Sequence, residues 1–310
     1  MHKLLNGLVT TGLACLAACD SAGPGGDDHP LVPGRIAFSM DAGGNTDIYS
    51  IQDGGTDLRR ITTHPAQDGD PSWSPGGSQL AFISLRDGEP RIYRINADGT
   101  GEVRLTDGSA GGSLGRDVLP AWSRDGSRIA FVHRPHAASA DRIYTMAVDG
   151  SDVRLFDPPL AVPPDWTCRS QSFPSWGVDG SMVFTENLCF SIPRVYRAKP
   201  DGSPVILLAE VGTNPSPRLI LTATISPTDR LAYVYSLPDE PPPSPSRLNV
   251  GPVSGVYVGM PAWAPDGSAL VFAWMEAIED RPRLYVMGAD GTGLRLLGLD
   301  AEADGPDWTR

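Results

Sequence analysis

Histidine and cysteine are scarce, five and four in 310 residues. His2 and His29 precede the part of the chain that reads as folded, leaving His64, His133 and His136. His133 and His136 flank a loop, but no third histidine or cysteine joins them. A histidine-based metal centre is therefore not expected, and no cofactor is implied. Positive charge is also short: 25 Lys and Arg stand against 37 Asp and Glu, a net charge of -12. Such a chain repels nucleic acid, because phosphate binding needs clustered Lys and Arg. No apolar run approaches the roughly 20 residues that a membrane-spanning helix needs. A nucleophile–base–acid set is missing too. Gly111-Gly112-Ser113-Leu114-Gly115 matches G-x-S-x-G, but it lies in a Gly-rich loop with no helical pattern after it. The nucleophile elbow needs a strand turning sharply into a helix, so the match reads as coincidence. Asp41, Asn45 and Asp47, like Asp68 and Asp70, offer oxygen ligands without the spacing of a calcium loop, and read as turn formers.

The first residues form a targeting segment. Met1-His2-Lys3 is short and basic, Leu4 to Leu16 is mostly apolar, and Leu16-Ala17-Ala18-Cys19 closes the run. This closing tetrad resembles the lipobox of bacterial lipoproteins. The resemblance implies a signal peptide over 1–18 and a lipid on Cys19, the new N-terminus. Residues 20–33 are Gly, Pro, Ser and Asp with almost nothing apolar, as in a flexible tether. Residues 34–310 are then one folded domain. Cys15 leaves with the signal, so Cys168 and Cys189 remain as an even pair in an oxidising compartment.

High glycine and proline counts, 35 and 30, suit many short strands joined by turns. One phrase recurs: Pro, a small residue, Trp, a turn, then an apolar strand. Copies are Pro71-Ser72-Trp73, Pro120-Ala121-Trp122, Pro174-Ser175-Trp176, Pro261-Ala262-Trp263 and Pro306-Asp307-Trp308, with Ile225 in the Trp slot of a worn copy. The six slots lie roughly 40 to 55 residues apart, the period of four-stranded propeller blades. Trp166 lacks the turn and apolar run and is assigned to a loop. Proline suits the first position of a strand, where no ladder bond is lost. Asp-Gly or Gly-Gly supplies the tight turn. The next strand, such as Leu80-Ala81-Phe82-Ile83, is apolar on both faces, as in a blade packed between two others. A third strand such as Arg91-Ile92-Tyr93-Arg94-Ile95, an Asp-Gly turn and a short outer strand complete each unit.

Trp-Ser-Pro followed by Leu-Ala-Phe, Ile-Tyr and Asn-Ala-Asp-Gly resembles the WD-like propeller repeat of the TolB family. The resemblance covers nearly everything after Gly34. It implies a fold and leaves the function open. One departure is visible: TolB carries an α/β domain before its propeller, where this chain shows only the tether. A role in the Tol-Pal system is therefore not carried over. Propeller lyases acting on pectin fragments have similar repeats but use a histidine cluster that this chain lacks.

The expected fold is all-β: a six-bladed β-propeller of four-stranded antiparallel blades. It is closed by pairing Gly305–Thr309 as inner strand with the N-terminal strands starting at Arg35-Ile36-Ala37-Phe38. Cys168 and Cys189 lie 11 residues before and 10 after the hairpin turn at Asp179, a spacing that sets them opposite each other as a disulfide. Turns between strands one and two, and three and four, are short and share one face of the disc. The long connections emerge on the other face and lead into the inner strands. Long loops on a rigid scaffold carry binding residues, so His64, Asp70, Arg116, Asp117, Arg169 and Asp304 are the candidate mouth residues. The expected function is a non-catalytic binding or scaffold module for an envelope protein or glycan, exported and anchored to membrane only through Cys19, and monomeric. The alternative is a glycan lyase or hydrolase built on the long-loop face.

Overall fold

A computed structural model describes residues 34–136, 140–160, 169–188, 193–201, 203–210, 219–236, 246–277, 280–299 and 301–309. Cys19, Cys168, Cys189 and Trp166 lie outside these residues. Six antiparallel sheets form six blades around a central bore. The inner strands are Asp68–Trp73, Gly115–Trp122, Arg169–Trp176, Leu219–Ile225, the pair Tyr257–Val258 and Ala262–Trp263, and Ala303–Thr309.

The last blade closes the ring as the repeat predicts. Ala303–Thr309 pairs antiparallel with Arg35–Asp41, with Ile36 opposite Trp308 and Arg35 opposite Thr309. Closure removes the exposed sheet edge that an open ring would leave.

Each Trp-slot residue packs into the gap between its own blade and the one before. Trp73 meets Leu80 and Phe82 of its blade and Ile48 and Ile61 of the closing blade. Trp308 meets Val271 and Leu284, and Ile225 meets Val183 and Val195. Behind them Phe38, Phe82, Phe131, Phe184 and Phe272 are fully buried, one from the second strand of each of five blades. The core is thus a set of wedges between blades rather than one centre, which is why the second strands are apolar on both faces.

The aspartates of the short turns act locally. Asp98 Oδ1 accepts from the Thr100 N–H at 2.9 Å and its hydroxyl at 2.6 Å. Asp149 with Ser151, Asp266 with Ser268 and Asp290 with Thr292 repeat the arrangement. Gly99, Gly150 and Gly291 follow with φ of 84–86°. The side chain replaces a backbone acceptor while glycine takes the left-handed position.

The prolines depart from the expectation. Pro71, Pro120 and Pro174 sit inside their inner strands, at bulges where the ladder register shifts. The physical reasoning survives in another form: a bulge leaves one residue unpaired, and proline has no N–H to lose there.

Candidate functional site

The bulges decide what faces the bore. The residue before each of these prolines is left-handed: Asp70, Leu119 and Phe173 have φ of 47°, 54° and 54°, and Gly305 before Pro306 has 58°. Left-handed backbone in a bulky non-glycine residue costs energy and persists only where the surrounding structure imposes it. These four residues, with Thr222 and Met260, line a cavity of about 430 Å³ along the axis. Toward the long loops its wall carries the apolar Leu119, Phe173 and Met260 and the acidic Asp70.

Two of the sequence candidates, Asp70 and Asp304, lie close enough for their charges to interact. Asp70 donates its backbone N–H to Ser39 Oγ at 3.2 Å, while its carboxylate accepts no hydrogen bond from any described residue. Burial pushes its pKa up to about 6; the nearby charge of Asp304 adds to this and Arg134 opposes it. Asp304 accepts from the Tyr257 hydroxyl at 2.5 Å. Burial raises its pKa as well, and that hydrogen bond works against the rise. Burial and the Asp304 charge also hold the Tyr257 phenol neutral far above its usual range.

A third carboxylate lies deeper. Asp307 occupies the small-residue slot filled elsewhere by Ser72, Ala121, Ser175, Thr224 and Ala262. In two blades that slot ties one blade to the next: Ser72 Oγ accepts the Trp122 N–H at 3.1 Å and Ser175 Oγ accepts the Ile225 N–H at 3.2 Å. Asp307 Oδ2 does the same for the Trp73 N–H at 2.6 Å, across the closure. Burial pushes its pKa up to about 6 against the opposing pull of this bond and of Arg124. At the short-turn end the exposed Arg124 reaches over the bore, donating to the Trp176 and Ile225 carbonyls at 3.3 Å each.

The other candidates lie elsewhere. His64 shapes its own loop, Nδ1 accepting the Ala66 N–H at 3.0 Å and its carbonyl accepting from Asn45 at 2.9 Å. Arg116 is exposed and pairs with Glu89 at 3.3 Å. The Arg169 backbone pairs with Leu188, and its side chain is outside the described residues. Asp117 is not at the mouth: it is fully buried, with Oδ1 2.7 Å from His133 Nδ1. His133 is equally buried, on the strand Arg128–Pro135 rather than in a surface loop. The cause is strand alternation: Asp117 lies before the bulge and points between blades, whereas Asp70 lies within one. His133 Nε2 sits 2.9 Å from the Ser113 carbonyl, so it is the backbone of the G-x-S-x-G stretch, not the hydroxyl, that meets the histidine.

The sequence reading missed Asp307, Tyr257 and Met260. Asp307 carried a usable signal, as the one charged residue in the small-residue slot of the repeat.

The two carboxylates raised to about 6, Asp70 and Asp307, predict a pH effect. An Asp whose folded pKa is raised stabilises the fold fully below its unfolded value near 3.8, and that contribution is lost as pH rises through about 6. Lowering the pH from 7.5 to 5 should therefore raise Tm, each group contributing about 1–2 kcal/mol in a bore partly open to water. Asp70→Asn should raise Tm at pH 7.5 and flatten the profile; an unchanged slope in calorimetry would refute this account.

A family model described as the TolB beta propeller domain matches residues 33–187. A protein TolB homolog from Chlorobium luteolum is 37% identical over 71 residues, 23% of this chain and 16% of that protein. The Tol-Pal system protein TolB of Syntrophus aciditrophicus is 36% identical over 75 residues, 23% and 17%. The chain thus spans less than a fifth of the length of either relative. Among solved structures, TolB from Acinetobacter baumannii superposes with a TM-score of 0.65 at 18% identity, covering 89% of this chain and 66% of that one. A likeness at that identity concerns the fold.

Proposed function

The chain belongs to the TolB β-propeller domain family, and on that premise we propose that it is a non-catalytic binding module of the cell envelope. It takes an envelope protein or glycan at the long-loop mouth of its bore. The observation that carries this reading is Asp70: a carboxylate held at a strained bulge, beside Asp304, without a hydrogen-bond donor among the described residues. A partner supplying a donor or cation to this carboxylate, beside an apolar contact at Leu119, Phe173 and Met260, would gain a charge-assisted hydrogen bond there. The relatives named for TolB and the Tol-Pal system support an envelope setting. Export through the 1–18 signal and anchoring through a lipid on Cys19 belong to the same reading.

Capture of a partner from detergent-solubilised envelopes tests it. Asp70→Lys should weaken capture at least about tenfold, roughly 1.4 kcal/mol. Asp266→Ala, on the short-turn face, should leave it unchanged. Retained capture by Asp70→Lys, with folding intact, would place the site elsewhere.

The Cys168–Cys189 disulfide is part of the proposal. Its support is the register of the nearest described pair, Arg169 opposite Leu188 in an antiparallel ladder. One more step of that ladder would set Cys168 opposite Cys189. Unreduced peptide mapping should show them linked in the exported protein, and two alkylatable thiols would count against both the bridge and the oxidising compartment.

A further inference from the structure

Two positions after each Trp slot the repeat places Pro75, Arg124, Val178, Pro227 and Pro265, with Arg310 in the last copy outside the described residues. The five described residues all line the axial cavity, at its short-turn end. Four of them have no side-chain hydrogen-bonding group, and Val178 is 58% exposed. Among the described residues, Arg124 is thus a single guanidinium set in an apolar ring. Its Nε and Nη2 donate to the Trp176 and Ile225 carbonyls at 3.3 Å each, longer than the roughly 2.7–2.9 Å at which a guanidinium holds a carboxylate. A guanidinium carries five N–H groups, so three have no acceptor among the described residues. Arg197, on the same face, is by contrast neutralised by Asp179 at 2.9 Å and Asp229 at 2.7 Å. The walls of the bore strip part of the water from Arg124 and depress its pKa, and the Asp307 charge opposes that shift. A cation confined in this way gains more from an anion than one free in water does.

We propose that the short-turn end of the bore binds the C-terminal carboxylate of a polypeptide whose last residue is apolar, with Arg124 as the group that holds it. The carboxylate accepts two parallel N–H bonds from the guanidinium, the arrangement that a planar fork fits. The last side chain rests on Val178 and the prolines of the ring. Charge fixes the route of entry. Asp70 and Asp304, toward the long loops, repel an anion, so a chain end that carries one enters from the side of Arg124. The nearby turn aspartates are held within their own turns: Asp125 accepts the hydroxyls of Ser123 and Ser127 at 2.7 and 2.8 Å, and Asp266 that of Ser268 at 2.7 Å. The cavity of about 430 Å³ falls within the roughly 300–1,000 Å³ usual for ligand pockets. A uronic acid offers the same carboxylate but surrounds it with hydroxyls, and Pro75, Val178, Pro227 and Pro265 have no side-chain group to pair with them. The ring therefore favours a peptide end. The site is separate from the long-loop mouth and stands whether or not that mouth holds a partner.

The test measures retention of a pool of short fluorescein-labelled peptides by the full protein. The pool ends in Leu or Val with a free carboxylate, and its preceding positions are randomised among uncharged residues. Arg124→Gln should lower retention at least about tenfold, and amidating the pool should lower it equally. The amidated pool reads the same contact in the unaltered protein, so the outcome does not hang on the folding of a variant. Arg124→Lys keeps the charge without the paired donors and should fall between. Arg295 also donates to a carbonyl, that of Asp53 at 2.7 Å, and Arg295→Gln should leave retention unchanged. Equal retention of the free and amidated pools, or retention of neither, would overturn the proposal. So would equal retention of amidated peptides carrying an internal Glu, which would assign Arg124 to an acidic side chain. Displacement by a uronic-acid oligosaccharide, but not by unlabelled free-acid peptide, would overturn it in favour of a glycan.

Discussion

Deleting Pro306–Arg310 should lower Tm by about 10 °C or more, or leave the protein unfolded. The segment supplies most of the inner strand of the closing blade, and its loss reopens the ring. Trp308 leaves the gap beside Val271 and Leu284; removing a large buried aromatic costs about 3–5 kcal/mol. The ladder with Arg35, Ile36 and Ala37 goes with it. So does the Asp307 carboxylate that accepts the Trp73 N–H, which leaves that donor unpaired next to the first complete blade. In a domain of this size each kcal/mol moves Tm by about 2–4 °C, so the combined loss is large. Differential scanning calorimetry reads it directly. Asp307→Asn is the informative control, because its amide oxygen still accepts the Trp73 N–H while the charge is gone. It should melt at or above the wild-type temperature at pH 7.5. A truncated protein that melted like the intact one would show that closure does not depend on the C-terminal strand.

His133→Ala should destabilise the fold by about 2–4 kcal/mol, the cost of leaving a buried carboxyl without its hydrogen-bond partner together with the space the imidazole vacates. The geometry shows why. The Ser113 carbonyl can only accept, so His133 Nε2 carries a proton toward it at 2.9 Å. Nδ1 shares a proton with Asp117 Oδ1 at 2.7 Å. Tyr144 packs edge-on against the imidazole at 5.9 Å between ring centroids. One histidine thus ties the inner strand of its blade, through Asp117, to the Gly-rich loop that crosses the long-loop face. Without it, Asp117 remains fully buried with Oδ1 unpaired, and Oδ2 has no hydrogen-bond partner among the described residues to begin with. Asp117→Ala should cost a similar amount from the other side. The double variant should cost clearly less than the sum of the two, since each single change strands the same partner. Strict additivity in denaturant unfolding would mean that the two side chains do not act as a pair.

The same residues show what could be read in advance and what could not. Asp117 and Asp70 looked alike as acids at the start of an inner strand after a long loop. Their fates differ because one lies before a bulge and the other within one. By simple alternation Asp68 and Asp70 share a face, yet Asp68 is buried against Arg86 at 3.3 Å while Asp70 enters the bore. The left-handed residue turns the chain and breaks the period of two. Nothing in the letters Asp-Gly-Asp-Pro announces this, since the proline is compatible both with a strand start and with a bulge.

The number of blades, their limits and the closing of the ring by the chain ends were determined by the sequence alone. Those features rest on local chemistry repeated six times: a Trp-slot residue large enough to fill a gap between blades, a turn that tolerates positive φ, and a second strand apolar on both faces. Repetition lets six weak local signals reinforce one another. Only the tertiary structure decided which acids meet in the bore. Asp70 at the first inner strand in chain order and Asp304 at the last are brought together by closure, and Asp307 is joined to Trp73 by the same step. Contacts between residues more than 200 positions apart have no local signature, because the groups that meet are chosen by how the ring closes and by which strand residues the bulges turn inward.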